Sequence, residues 1–264
     1  MSQRVVGLNG DVKGSATATP SCRGRMAPMK LTLLWTLAVT VAAATFDNRT
    51  VAQSRAPGTC SRGDVFVQSA NPQQIREACE AVSDVLTYFD GIGFKVDPHV
   101  SIAFWGDVDA KGGRKHAHGS YDPAARAIKL YAREQARPWG EPWQDVGGSF
   151  IRHEVAHAVV VQILAMRGLA LPREWHEFIA YAVQFELMEP AIRASILERY
   201  SNLAPASALT QINPFTHGLA DPDTFAVLVF KSYSVFGGRD LVRRLLTAEF
   251  VPTPLERMIP FPPN

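Results

Sequence analysis

Residues 151–160 read Ile-Arg-His-Glu-Val-Ala-His-Ala-Val-Val, a His153-Glu154-x-x-His157 spacing inside a run of helix-forming and apolar residues. That run predicts an α-helix. Residues four apart on a helix are separated by one turn and nearly share an azimuth. His153 and His157 therefore project from one face, close enough for both imidazoles to hold a single metal ion. Glu154 lies on the flank of the same face, where it can take a proton from metal-bound water. Val155, Ala156, Val159, Val160 and Ile163 make the other faces apolar, so the helix is expected to be buried. Two histidines and a carboxylate on a buried helix need partners, because unpaired polar groups are costly there.

Two imidazoles leave such a site incomplete, since catalytic zinc usually takes three protein ligands and a water. The next segment, Leu171 to Tyr181, reads as a second helix with Pro172 at its first position and offers Glu174, His176 and Glu177. H-E-x-x-H is the spacing of zinc metalloproteases. With Trp175, Glu177, Ala180 and Tyr181 following it, the chain resembles the gluzincins, the thermolysin-like and peptidase MA-like zincins. Their second helix carries a glutamate ligand about twenty residues after the last histidine, often within W-x-x-E-x-x-A-x-Y. Here the tryptophan and the tyrosine each stand one place closer to the glutamate. The resemblance spans roughly residues 98–246, with specific motifs in these two helices alone. It implies a Zn2+ site of His153, His157 and Glu177, with Glu174 and His176 competing for the third place. If the first helix runs to Arg167 and the second returns strictly antiparallel, Glu177 stops about 9 Å short of His157 at 1.5 Å per residue. Either the first helix ends earlier or the two cross at a large angle.

The elements that must position this site follow from the rest of the chain. Arg23, Arg25 and Lys30 precede the apolar run Leu31–Val41, and Ala42-Ala43-Ala44 supplies a small-residue cleavage site, the order of a secretory signal peptide. A membrane-spanning helix needs about 20 apolar residues, and Asp47, Asn48 and Arg49 cut this run short. Met26 or Met29 would be a more usual start for such a peptide. Without residues 1–44 the chain loses five cations against one acid, taking its formal charge from +2 to −2. No basic stripe remains, which argues against a nucleic-acid partner. No lipobox cysteine follows the apolar run, so no stable membrane anchor is expected after cleavage. Asn48-Arg49-Thr50 is a glycosylation sequon for a host that glycosylates. Of the three cysteines, Cys22 leaves with the leader, and Cys60 and Cys79 are expected to form a disulfide in an oxidising compartment. The expectation is a secreted or periplasmic protein processed near Ala44.

The 47% hydrophobic content suits an ordinary globular domain. Four segments are expected: leader and signal peptide (1–44), linker (45–63), folded domain (64–250) and Pro-rich tail (251–264), the last extended rather than packed. Val65-Phe66-Val67 reads as a strand, and Asn71 and Pro72 open a helix that Gly91 and Gly93 end. Val100, Ile102 and Phe104 alternate as a half-buried strand. Residues 119–121 and 127–131 flank a turn at 122–126 as a hairpin. The resemblance implies that residues 127–131 lie beside the active-site helix and pair with extended substrate. His116 and His118 stand near Lys111, Arg114 and Lys115 and are read as part of an exposed polar loop rather than a second metal site. Beyond Glu177 the chain reads as helical, with a loop over 201–220 and a helix opened by Asp221-Pro222. The fold class is α+β and zincin-like: a small N-terminal mixed sheet with a helix, the active-site helix, and a mostly helical C-terminal part.

This ligand set implies a zinc-dependent metallopeptidase acting on a peptide or protein substrate, with Glu154 as general base. The resemblance further implies a Tyr or His from the C-terminal helices as oxyanion donor. Tyr233 is favoured over His217. Two other functions fit the same residues. One is a non-catalytic zincin-fold binding protein, which retention of Glu154 disfavours. The other is a zinc hydrolase acting on a non-peptide or cell-wall amide bond.

Overall fold

Alternating and periodic apolar positions build a five-stranded sheet and the helices that cover it. The structure, a computed structural model, describes residues 57–105, 118–131 and 136–252. The expected signal peptide, the sequon at Asn48, His116 and the tail beyond Pro252 lie outside the described residues. Strands β1 (Pro57–Thr59), β2 (Asp64–Gln68), β3 (His99–Trp105), β4 (Gly119–Asp122) and β5 (Ala127–Tyr131) form one mixed sheet in the order β1-β2-β3-β5-β4. β2, β3 and β5 run parallel, and β1 and β4 pair antiparallel at the two ends. With its helices this is an α+β fold.

Helix α1 (Pro72–Gly91) links β2 to β3. Asn71 caps it by accepting from the Gln73 N–H, and Pro72 occupies the first turn, where no N–H is needed. Val65, Val67, Val100, Ile102, Ile128 and Leu130 lie in one buried cluster with Val82, Val85, Leu86 and Phe89 of α1. Regular structure is already present before Asp64, because β1 adds to β2 and Cys60 is buried behind it. Cys60 and Cys79 form the disulfide, with Cα atoms 5.1 Å apart. It closes a span of 19 residues and ties the β1–β2 connection to α1, a constraint of about 3 kcal/mol on the unfolded chain.

The central helix α2 (Trp143–Arg167) is followed by α3 (Arg173–Glu186). α2 does run to Arg167, so an early end is not how Glu177 reaches His157. Gly168 takes the left-handed conformation, φ 65°, and closes a Schellman-type end in which Leu169 N–H bonds the Leu164 carbonyl. Residues 169–172 then run without helix, and at about 3.3 Å per extended residue they have the length to recover the 9 Å shortfall.

Helices α4 (Pro190–Arg199), α5 (Pro214–Leu219), α6 (Pro222–Val235) and α7 (Arg239–Leu246) complete the C-terminal part. Pro190 opens α4, with Glu189 as its cap. The expected loop over 201–220 contains a 3-10 turn (Leu209–Gln211) as well as α5. Asn213 and Thr216 form a reciprocal capping box that starts α5. Pro252, expected in an unpacked tail, is buried. Among the described residues no helix is long and apolar enough to cross a membrane.

Candidate metal centre

The interface between α2 and α3 is apolar except for two polar ladders that face each other. Ser149, His153 and His157 stand at i, i+4 and i+8 on α2. Glu177, Tyr181 and Gln184 stand at i, i+4 and i+7 on α3. Both series follow one helix face. His153 Nε2 and His157 Nε2 are 3.1 Å apart, and Glu177 Oε2 lies 3.4 Å from the first and 3.5 Å from the second. Among the described residues these three form the cluster able to hold a metal ion, with ligand atoms all within 4.8 Å of one another. Glu174 is buried outside it, and His176 lines the neighbouring cavity without joining it.

Charge and burial act strongly on this group. Burial alone would raise the Glu177 carboxyl, but the His157 charge and the close contacts of both imidazoles hold it well below the usual range. Burial pushes His157 down, and Glu177 outweighs that, holding it above the ordinary imidazole value. Burial lowers His176, with the His157 charge adding to the effect.

Glu154 is 5% exposed and projects to the side of the triangle where the sheet approaches. Burial raises its carboxyl, against the opposing charges of His153 and His157, and the Tyr121 main-chain N–H donates to it. Its Oε2 is buried with no hydrogen-bond partner among the described residues. The strand that reaches it is β4, and it can do so because residue 119 is glycine. A Cβ there would stand 2.6 Å from Glu154 Oε1 and 2.7 Å from its Cγ.

The strand beside the site differs from the expected one. Residues 127–131 form β5, which is hydrogen-bonded on both sides by β3 and β4. On the side of the site the edge strand among the described residues is β4, and Gly119, Ser120 and Tyr121 line the cavity. A β5 already paired twice has no main-chain groups to offer an extended ligand.

That cavity, about 950 Å³, opens over His153, Glu154, His157 and Glu177. Its walls include His118, Trp139, Phe150, Arg173, Tyr181, His217, Asp223 and Phe225. His118 lies 4.4 Å from the Phe150 ring, tilted by 43°, and is not part of the metal-capable cluster. His217, on α5, lies against Phe225 at 5.1 Å.

Tyr233 is not in the site. It is 4% exposed, donates to Glu186 Oε2, and stands 3.3 Å from the Tyr88 hydroxyl, away from the cavity lining. Phe225 lines the cavity from the same helix, and Tyr233 follows eight residues later, about 12 Å along the axis.

Sequence reasoning missed Gln184, Ser149 and Gly119. Gln184 accepts from His153 Nδ1 at 3.1 Å through its Oε1. Its spacing of seven from Glu177, a polar residue on an otherwise apolar face, was the available signal. Ser149, four before His153, carried the same signal on α2.

No curated protein and no solved structure matches this chain. Residues 65–254 match the family described as "Family of unknown function (DUF6639)", and the chain belongs to that family.

Proposed function

We propose that this chain is an exported zinc metallopeptidase of the gluzincin type, with His153, His157 and Glu177 as ligands and Glu154 as general base. The observation that carries the reading is the ligand triangle. Ligands about 2.0–2.1 Å from a tetrahedral zinc ion lie about 3.3–3.4 Å from one another. The three edges here are 3.1, 3.4 and 3.5 Å. Two imidazoles and one carboxylate also match the donor set of catalytic zinc, which keeps its fourth position for water.

Bound zinc supplies a Lewis acid that makes water acidic near neutral pH and polarises a carbonyl. The chain's own groups do the rest. Glu154 Oε2, buried and without a partner among the described residues, takes the proton of the attacking water, and the same carboxyl returns it to the leaving amine. The Tyr121 N–H and the close approach of Gly119 hold that carboxyl in place. The β4 edge offers main-chain groups to an extended peptide, a mode that gives affinity with little side-chain selectivity. His217 lines the cavity and is the oxyanion donor in place of Tyr233, the candidate favoured from the sequence. Export rests on the Leu31–Val41 run with its Ala42–Ala44 cleavage site, and on the Cys60–Cys79 disulfide.

The test is cleavage of a mixed peptide library by purified protein, with and without a zinc chelator, beside Glu154→Gln. Cleavage abolished by the chelator and by the variant supports the proposal. A zinc-loaded protein that cleaves no peptide, yet retains a peptide from the library, would make it a binding protein instead.

A further inference from the structure

The hydrogen bonds behind His153 form a chain with only one consistent set of proton positions. Ser149 Oγ donates to the Val146 carbonyl at 2.7 Å. A hydroxyl has one proton, so toward Gln184 it can only accept, and the Gln184 Nε2 donates to it at 2.9 Å. That turns the Gln184 carbonyl oxygen toward His153, 3.1 Å from Nδ1. An amide oxygen cannot donate, so His153 Nδ1 carries a proton, and the neutral ring keeps its lone pair on Nε2. Nε2 is the atom in the triangle with His157 and Glu177. Gln184 is fully buried and Ser149 nearly so, and water cannot substitute for either partner without opening the α2–α3 interface.

We propose that Ser149 and Gln184 are positioning residues that lock His153 as its Nδ1–H tautomer and aim Nε2 at the metal. Free neutral imidazole prefers the opposite tautomer, with its proton on Nε2. The protein works against that preference before any ion arrives. The lock is uncharged: the amide accepts a hydrogen bond but cannot take the proton, so Glu177 is the anionic member of the ligand set. The consequence for zinc affinity rests on the metal reading above, whereas the tautomer does not.

Two measurements on the purified full chain separate these points. Nitrogen–proton correlation spectra of histidine-labelled, metal-free protein at neutral pH should show His153 as Nδ1–H. In Gln184→Leu, and to a smaller extent in Ser149→Ala, the resonances should move toward the Nε2–H form. Competition with a chromogenic chelator should show zinc binding weakened about 10–100-fold in Gln184→Leu. Gln184→Glu, whose carboxylate also accepts from Nδ1, should stay within a few-fold of the parent. Ser149→Ala, a smaller change, serves if Gln184→Leu does not fold. An Nε2–H His153 in the parent overturns the lock outright. Parent-like zinc affinity in Gln184→Leu, or equal weakening in Gln184→Glu, overturns its role toward the metal. A parent protein with the Nδ1–H tautomer that binds no zinc refutes the metal reading and leaves the tautomer lock standing.

Discussion

Replacing Gly119 with alanine puts one methyl group against Glu154, the proposed general base, and touches none of the three proposed ligands. The added Cβ would lie 2.6 Å from Glu154 Oε1, 2.7 Å from Cγ and 3.0 Å from Cδ. Carbon contacts normally settle at about 3.5–4.0 Å, so the Glu154 side chain or β4 must move by about 1 Å. Glu154 has little room to yield, being 5% exposed and held by the Tyr121 N–H. Residue 119 sits in a regular strand outside the left-handed region, so the effect is steric rather than conformational. Overfilling a packed site costs about 1–3 kcal/mol, which the disulfide-tied domain should survive. A displacement of about 1 Å at a catalytic group costs about 100-fold in rate. The assay is kcat/KM on a peptide the parent cleaves, with zinc content measured on the same sample. Gly119→Ala should retain its zinc and lose about 100-fold in kcat/KM, chiefly through kcat. A variant within a few-fold of the parent would refute the positioning of Glu154 by β4.

Glu154→Gln should keep full metal content and lose hydrolysis, because it removes the base and no ligand; metal loss in that variant would count against the assigned role. His217→Ala should lower kcat by about 100–1,000-fold with a smaller change in KM, and Tyr233→Phe should leave kcat near the parent. Equal, small effects of both on kcat would remove His217 from the mechanism. Asp221 caps α6 by accepting from the Thr224 N–H at 3.0 Å. Burial raises its carboxyl, but the Thr224 hydrogen bonds outweigh that and hold it below the usual aspartate range. A depressed folded value means stability that is present above the unfolded pKa and lost as pH falls through the folded one. Asp221→Ala should therefore cost about 1 kcal/mol at neutral pH, and the Tm gap from the parent should close as pH falls through the depressed folded value. A gap that persists in acid would show that packing, not the charged cap, is at stake.

The parts of the fold that were legible are those whose signals are local. Asn71-Pro72 and Asp221-Pro222 each carry a cap and a helix start within four residues, and both helices begin there. The hairpin at 119–131 showed itself by alternation around a turn. The pairing of His153 and His157 on α2 was legible because one helical turn fixes their relation. Other features depended on which elements meet. β5 and β4 have similar local patterns, and only the sheet order decides which is the edge. Tyr233 and His217 are both plausible as types, but the direction of α6 carries one away from the cavity while α5 turns the other into it. Gln184 reads as an ordinary polar residue until α3 is laid against α2 and its amide meets His153. Gly119 carries no signal until Glu154 is seen to need its missing side chain.

The most direct test of the central claim is metal content by mass spectrometry on the purified protein beside His157→Ala. The account predicts close to one zinc per chain, held by His153, His157 and Glu177 and lost in the variant. Absence of metal from both proteins, even after reconstitution with zinc, would contradict it.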